Sequence, residues 1–84
     1  MTQNNNKPIY TIEYYDKEKT IKRAEYWTLN VLYHREDGPA IIWYYYRNES
    51  IYKKEYFING NRHREDGPAD IFYYENGNVR YKYQ

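Results

Sequence analysis

The heptapeptide His-Arg-Glu-Asp-Gly-Pro-Ala occurs twice in 84 residues, at 34–40 and 63–69, so its copies lie 29 positions apart. Identity at such a period marks a repeat architecture, in which each unit is one supersecondary element that buries its faces only against its neighbours. The flanks repeat too. Downstream, AIIWYYYRNES from Ala40 aligns with ADIFYYENGN from Ala69 through Ala, Ile, an aromatic and a Tyr pair. Upstream, IKRAEYWT from Ile21 aligns with IYKKEYFI from Ile51, setting Glu25-Tyr26 against Glu55-Tyr56. IEYYDKEKT from Ile12 is a partial third copy without the heptapeptide, and VRYKYQ from Val79 begins a strand that the other units continue. The expected units lie near 12–39, 40–68 and 69–84, with residues 1–8 as a flexible polar tail.

Within each unit, apolar residues alternate with polar ones over five to eight positions, and Tyr, Ile, Phe and Trp predominate. Both are strand signals. Asn59-Gly60 and Asn76-Gly77 are tight-turn pairs whose residues accept positive φ. The pattern predicts strands near 9–15, 21–28, 40–46, 51–58, 70–74 and 79–83. With short connectors these make an all-β antiparallel meander of about six strands, built from repeated β-hairpins as a single-layer elongated sheet. Alternation places Ala40, Ile42 and Tyr44 with Ala69, Ile71 and Tyr73 on one face, joined by Ile12 and Tyr14. The other face holds Glu13, Ile41, Trp43, Asp70 and Phe72, and its acids make the first face the expected better-packed one. The unpaired outer strands invite another chain, so a homodimer or a bound partner is expected.

Asp-Gly-Pro bends a chain and then launches a strand. The structural reading therefore takes His34, Arg35, Glu36, Asp37, Gly38 and Pro39, with His63, Arg64, Glu65, Asp66, Gly67 and Pro68, as two copies of one turn. Its acids would accept from Arg and from backbone amides, and its His would link turn to strand. Backbone strain at Gly38 and Gly67 is then expected to make either Gly→Ala change destabilising. A metal reading uses His34, Glu36 and Asp37, repeated at His63, Glu65 and Asp66. It suffers because adjacent residues on extended chain point apart and no further His or Cys stands at ligand spacing, so neither metal nor cofactor is expected. A catalytic reading is weaker still: an enzyme needs one pocket, and two equal copies a full unit apart are two equivalent loops. No cysteine, nucleophile elbow, phosphate-binding glycine loop or zinc signature is present, so no enzymatic activity is expected.

Composition narrows the partners. Thirteen basic and twelve acidic residues, dispersed without blocks, leave a formal charge of +1 and no footprint for duplex nucleic acid or anionic lipid. No apolar run reaches the length of a membrane span. The polar start lacks a signal-peptide core, which points to the cytoplasm, or the host cytoplasm for a viral protein. Fourteen tyrosines let a thin sheet show aromatic surface and stay wet. Tyr44, Tyr45 and Tyr46 with Arg47, or Tyr52 with Lys53 and Lys54, could stack single-stranded bases. Because the tyrosines follow the repeat, most are better read as rows that hold the sheet together. Tyr, Ile, Asn and Lys, all with A/T-rich codons, supply 38 of the 84 residues, as in many phages, giant viruses and low-GC bacteria.

The units YWTLNVLYHREDGPAIIWYYYRNES and YFINGNRHREDGPADIFYYENGN resemble MORN-like repeats, in the HREDGPA-type variant found in phage, giant-virus and bacterial proteins. The resemblance covers residues 12–84. It implies stacked hairpins in an elongated curved sheet, and binding of protein or lipid head groups without catalysis. The first unit departs from the second: its turn at Leu29–Tyr33 lacks Asn-Gly and reads as one residue longer. The functional expectation is a non-catalytic protein–protein interaction module that docks through its aromatic face or an open edge. One form is a phage- or virus-encoded inhibitor of a host defence protein. The expected contacts are Trp43, Tyr45, Phe72 and Tyr74, aromatics being the usual anchors of interfaces. The alternatives are a single-stranded nucleic-acid-binding sheet and a purely structural, oligomerising repeat protein.

Overall fold

A computed structural model describes residues 7–83. The first six residues of the expected tail and Gln84 lie outside the described residues. Nine strands follow in chain order: β1 (Ile9–Tyr14), β2 (Lys22–Leu29), β3 (Leu32–Tyr33), β4 (Ile41–Tyr44), β5 (Ile51–Glu55), β6 (Phe57–Ile58), β7 (Asn61–Arg62), β8 (Asp70–Tyr73) and β9 (Val79–Tyr83). Six of them form one antiparallel meander in the order β1-β2-β4-β5-β8-β9, with β3 on β2 and β6–β7 as a separate small hairpin. The sheet is open, and no helix occurs among the described residues. At 48 × 36 × 15 Å the molecule is a slab, too thin for a second sheet packed about 10 Å away with its own side chains.

The heptapeptide interrupts what is otherwise one strand. β3 and β4 both lie along the same side of β2, Thr28 opposite Tyr33 and Tyr26 opposite Ile41. Trp27 closes the excursion between them: its carbonyl accepts from His34 N–H at 3.0 Å and its own N–H donates to Ala40 O at 2.9 Å. Tyr56 does the same for the second copy, with His63 N–H at 3.0 Å and Ala69 O at 2.8 Å. Residues 35–39 and 64–68 are thus looped out of the ladder. For this reason the strand expected over 51–58 breaks at Tyr56.

These bonds fix the repeat at a constant 29 residues, so Trp27 corresponds to Tyr56 and Tyr26 to Glu55. The expected pairing of Glu25-Tyr26 with Glu55-Tyr56, and the longer first turn, are corrected accordingly. Both hairpins turn on two residues of positive φ, Asn30 (51°) with Val31 (61°) and Asn59 (49°) with Gly60 (81°). That is the geometry of a tight turn matched to strand twist. Valine is sterically disfavoured there, which hid the equivalence from sequence.

Burial also departs from the two-face expectation. The buried apolar residues are Ala24, Ala40, Ile41 and Ala69, and Asp70 is buried with them. Ala40 and Ile41 are adjacent, and therefore face opposite ways, as are Ala69 and Asp70. Neither face is the sole packed one, because the sheet is a single layer with buried residues on both sides. Among the described residues no large side chain is fully buried. Packing therefore comes from half-buried rows of rings and cationic stems across the strands.

Candidate functional site

The heptapeptide loops are held by a local stack. The Arg35 guanidinium lies 3.8 Å from the Trp27 ring centroid and donates to Pro39 O at 3.2 Å; Arg64 lies 4.1 Å from Tyr56 and donates to Pro68 O at 3.2 Å. The glycine of each loop packs against the same guanidinium. A Cβ at Gly38 would stand 3.0 Å from Arg35 Cζ, and one at Gly67 3.0 Å from Arg64 Nη1. Neither glycine has positive φ, so the expected backbone strain is replaced by a need for space. Ring and glycine both pack against one guanidinium, and the same aromatic residue closes the loop through its backbone.

The histidines separate the two copies. His34 Nδ1 accepts from Asn59 N–H of the next hairpin at 3.0 Å, while its Nε2 faces Glu36 at 3.4 Å. Around it Arg35 N–H donates to Phe57 O at 3.1 Å, and Gly60 N–H to Tyr33 O at 2.8 Å. His34 thus links unit to unit rather than turn to strand. No counterpart of the β6–β7 hairpin follows His63 among the described residues, and its side chain is 53% exposed against 7% for His34. Each loop holds one His–Glu pair, and no three His, Cys, Asp or Glu side chains converge on a metal position among the described residues. Glu36, Asp37 and Glu65 extend into solvent beside the loops.

The aromatic residues form a continuous surface. Register places Trp43 and Phe72 on one face, with Lys53 between them and Tyr81 beyond. Trp43 Nε1 donates to Glu55 Oε1 at 2.8 Å, and Arg23 lies over its ring at 5.6 Å. Phe72 stacks on Tyr81 at 4.6 Å and meets the edges of Tyr52 and Tyr83 at 6.1 and 6.2 Å. Tyr45 reaches the same cluster through Tyr52 at 5.2 Å. Its hydroxyl donates to Tyr73 O at 2.6 Å, so Tyr45 is also a joint between units. Tyr74, the corresponding residue of the next unit, is exposed and has Arg80 near its ring at 6.0 Å. Of the four expected contacts, Trp43, Phe72 and Tyr45 therefore share one face, and Tyr74 stands at the C-terminal end of that series. The expected protein contacts did not include Tyr52, named only for the nucleic-acid reading, nor Tyr81 and Tyr83; the signal for Tyr81 was an aromatic opposite Phe72 on the neighbouring strand.

Beside this cluster an ion network crosses the sheet. Glu55 pairs with Lys53 at 3.2 Å and Arg62 at 3.8 Å, and Arg62 Nε donates to Asp70 Oδ2 at 2.9 Å. The other Asp70 oxygen is buried without a hydrogen-bond partner. The first unit has Tyr26, Tyr33 and Ile41 at these positions, with the two rings edge to face at 5.9 Å. On the opposite face Glu25 gathers Tyr10 at 2.5 Å, Lys22 at 3.1 Å and Tyr44. Burial alone would push the Glu25 carboxyl up, yet the hydrogen bonds from Tyr10, Tyr44 and Lys22 together hold it below its ordinary value.

No protein-family model, curated protein or solved structure matches this chain. No helix among the described residues is long and apolar enough to cross a membrane.

Proposed function

We propose that this chain is a non-catalytic protein-binding module of the MORN-like kind, which docks on another protein through the face bearing Trp43, Tyr52, Phe72, Tyr81 and Tyr83. The observation that supports it most is a connected run of rings, from Tyr45 to Tyr83, that no second layer covers. Rings locked by neighbours lose little entropy on binding and supply large contact area, which is what interface anchors require. An inhibitor of a host defence protein is the concrete form that the small size and A/T-rich composition favour.

Single-stranded nucleic acid is the weaker reading, because two of the cations over these rings are already committed. Lys53 pairs with Glu55 at 3.2 Å and Arg23 with Glu13 at 3.3 Å, which leaves less charge for phosphates. The test is affinity purification from the native host with the wild-type chain and with Tyr81→Ser, a change on the exposed strand β9. A partner retained by wild type and lost by the folded variant supports the reading. Equal retention by both moves the interface off this face.

A further inference from the structure

We propose that copies of this chain join head to tail, β9 of one against β1 of the next, into an open-ended sheet. The proposal rests on the strand edges and is independent of what the aromatic face binds.

The joints between units inside the chain stop one step short at its C-terminal edge. Tyr15 Oη donates to Tyr44 O at 2.8 Å, and Tyr45 Oη donates to Tyr73 O at 2.6 Å. Tyr74 is the next tyrosine in this series, and its ring, 51% exposed, has no strand beyond β9 to meet among the described residues. The carbonyl that corresponds to those of Tyr44 and Tyr73 is that of Tyr14, at the other edge of the sheet.

The cross-strand rows say the same. Register runs one row through Ile12, Glu25, Ile42, Lys54, Ile71 and Lys82, isoleucine alternating with charge. It begins on Ile12 at one edge and ends on Lys82 at the other. Lys82 against Ile12 of a second copy continues the alternation without a break, whereas two like edges would set Lys82 near Lys82 or Ile12 near Ile12. In this row each charged residue also engages a tyrosine of the strand that follows it: Glu25 accepts from Tyr44, and the Lys54 ammonium lies 5.5 Å over Tyr73. Lys82 is left to engage Tyr14 of the next copy.

Backbone polarity fits as well. Trp27 N–H faces β4, so Glu25, two residues away, faces β4 too. The same alternation turns Lys54 toward β8, Lys82 outward from β9, and Ile12 outward from β1. The edges therefore offer complementary rows of N–H and C=O groups that no strand among the described residues pairs. Because the two edges differ, the contact is heterologous and does not close on itself.

The test uses the full chain and two edge variants in sedimentation experiments over a concentration series. Lys82→Pro removes an amide that faces solvent, a tolerated place for proline on an edge strand. Ile12→Lys sets like charges at the new junction. Wild type is expected to gain mass with concentration and pass beyond a dimer. Each variant alone is expected to stay monomeric, while their equimolar mixture forms a dimer through the one intact β9 and the one intact β1. A monomeric wild type, a mixture that stays monomeric, or association abolished by only one of the two changes would overturn the proposal. Should either variant lose its fold by circular dichroism, Tyr74→Phe replaces it: the loss of one junction hydrogen bond should weaken association roughly fivefold with the melting temperature unchanged. Unaltered association of that variant refutes the joint.

Discussion

Replacing Val31 by glycine should stabilise this protein, although the side chain lost touches almost nothing. Val31 is 93% exposed and sits at φ 61°, in the left-handed region that its Cβ resists. A non-glycine residue there costs about 1–2 kcal/mol, and β-branching places valine at the upper end. Glycine gives back about 0.4–1 kcal/mol through its freer unfolded chain. The difference is a gain of about 1 kcal/mol, which for a domain of this size raises the melting temperature by about 4–8 °C. Urea unfolding should show a higher midpoint at unchanged slope, since no buried area changes.

The second hairpin supplies the control. Gly60 occupies the same place at φ 81°, but there a Cβ would stand 3.2 Å from Leu32 Cδ2 of the preceding hairpin. Gly60→Val should therefore lose more than Val31→Gly gains. A Val31→Gly protein no more stable than wild type would refute the left-handed turn, and with it the constant spacing of the repeat.

His34→Ala should cost about 1–3 kcal/mol, because it strips a buried acceptor from Asn59 N–H, while His63→Ala should stay within about 0.5 kcal/mol; equal losses in chemical denaturation would contradict the unit-to-unit role. Gly38→Ala and Gly67→Ala should each lose about 1 kcal/mol by displacing the guanidinium, and each loss should shrink when the arginine beneath is first changed to alanine, a coupling that a double-mutant cycle reads directly. Arg62→Ala leaves the Glu55 and Asp70 carboxylates without their shared cation and should cost about 2–3 kcal/mol in thermal or urea melts. Alkali should weaken the Glu25 cluster: the hydrogen bond to Glu25, then burial, push the Tyr10 hydroxyl up to about 12, and burial followed by the same carboxylate raises Tyr44 further. Phenols raised on folding contribute stability that is present below their unfolded pKa of about 10 and is lost as pH rises through the folded values. Glu25, held low, contributes above its unfolded value of about 4.3 and loses that contribution as pH falls through the lower folded one. Melting temperatures across pH should therefore drop on both limbs, and Glu25→Gln should flatten both.

Six strands were readable in the residues because alternation and aromatic content act locally. The strand over 79–83 matches throughout, and the other five end one to three residues from their expected bounds. The larger misses have a common cause. Expected strand 40–46 stops at Tyr44, because Tyr45 turns its N–H to Ser50 O and its hydroxyl to the next unit. Expected strand 51–58 breaks at Tyr56, whose backbone closes a loop that begins seven residues later. Neither event has a local signal, since each depends on a partner brought in by the stacking of units. The same holds for His34: its sequence neighbours are those of His63, and only the presence of a following hairpin makes one a buried joint and the other a surface group. Val31 was unreadable for the opposite reason, a local preference overridden by the register of the strands it joins.

Comparison of the two units separates positions that the fold requires from positions it leaves free. The loop sequence, the closing aromatic at Trp27 and Tyr56, and the turn asparagines at Asn30 and Asn59 recur, and each makes a backbone or stacking contact that the architecture needs. On the face of the sheet the residues change character: Ala24 becomes Lys53, Tyr26 becomes Glu55, Tyr33 becomes Arg62 and Ile41 becomes Asp70. An aromatic pair in one unit is an ion network in the next, on the same backbone. If packing alone set that face, two units with equal loops and equal turns would have little reason to differ there, and a buried Asp70 with an unsatisfied oxygen would be a cost without return. The two units thus carry different surfaces on one backbone frame. The heptapeptide belongs to the frame, as does the aromatic that recurs at Trp43 and Phe72, and what differs on that face is the exchange of Tyr26, Tyr33 and Ile41 for Glu55, Arg62 and Asp70.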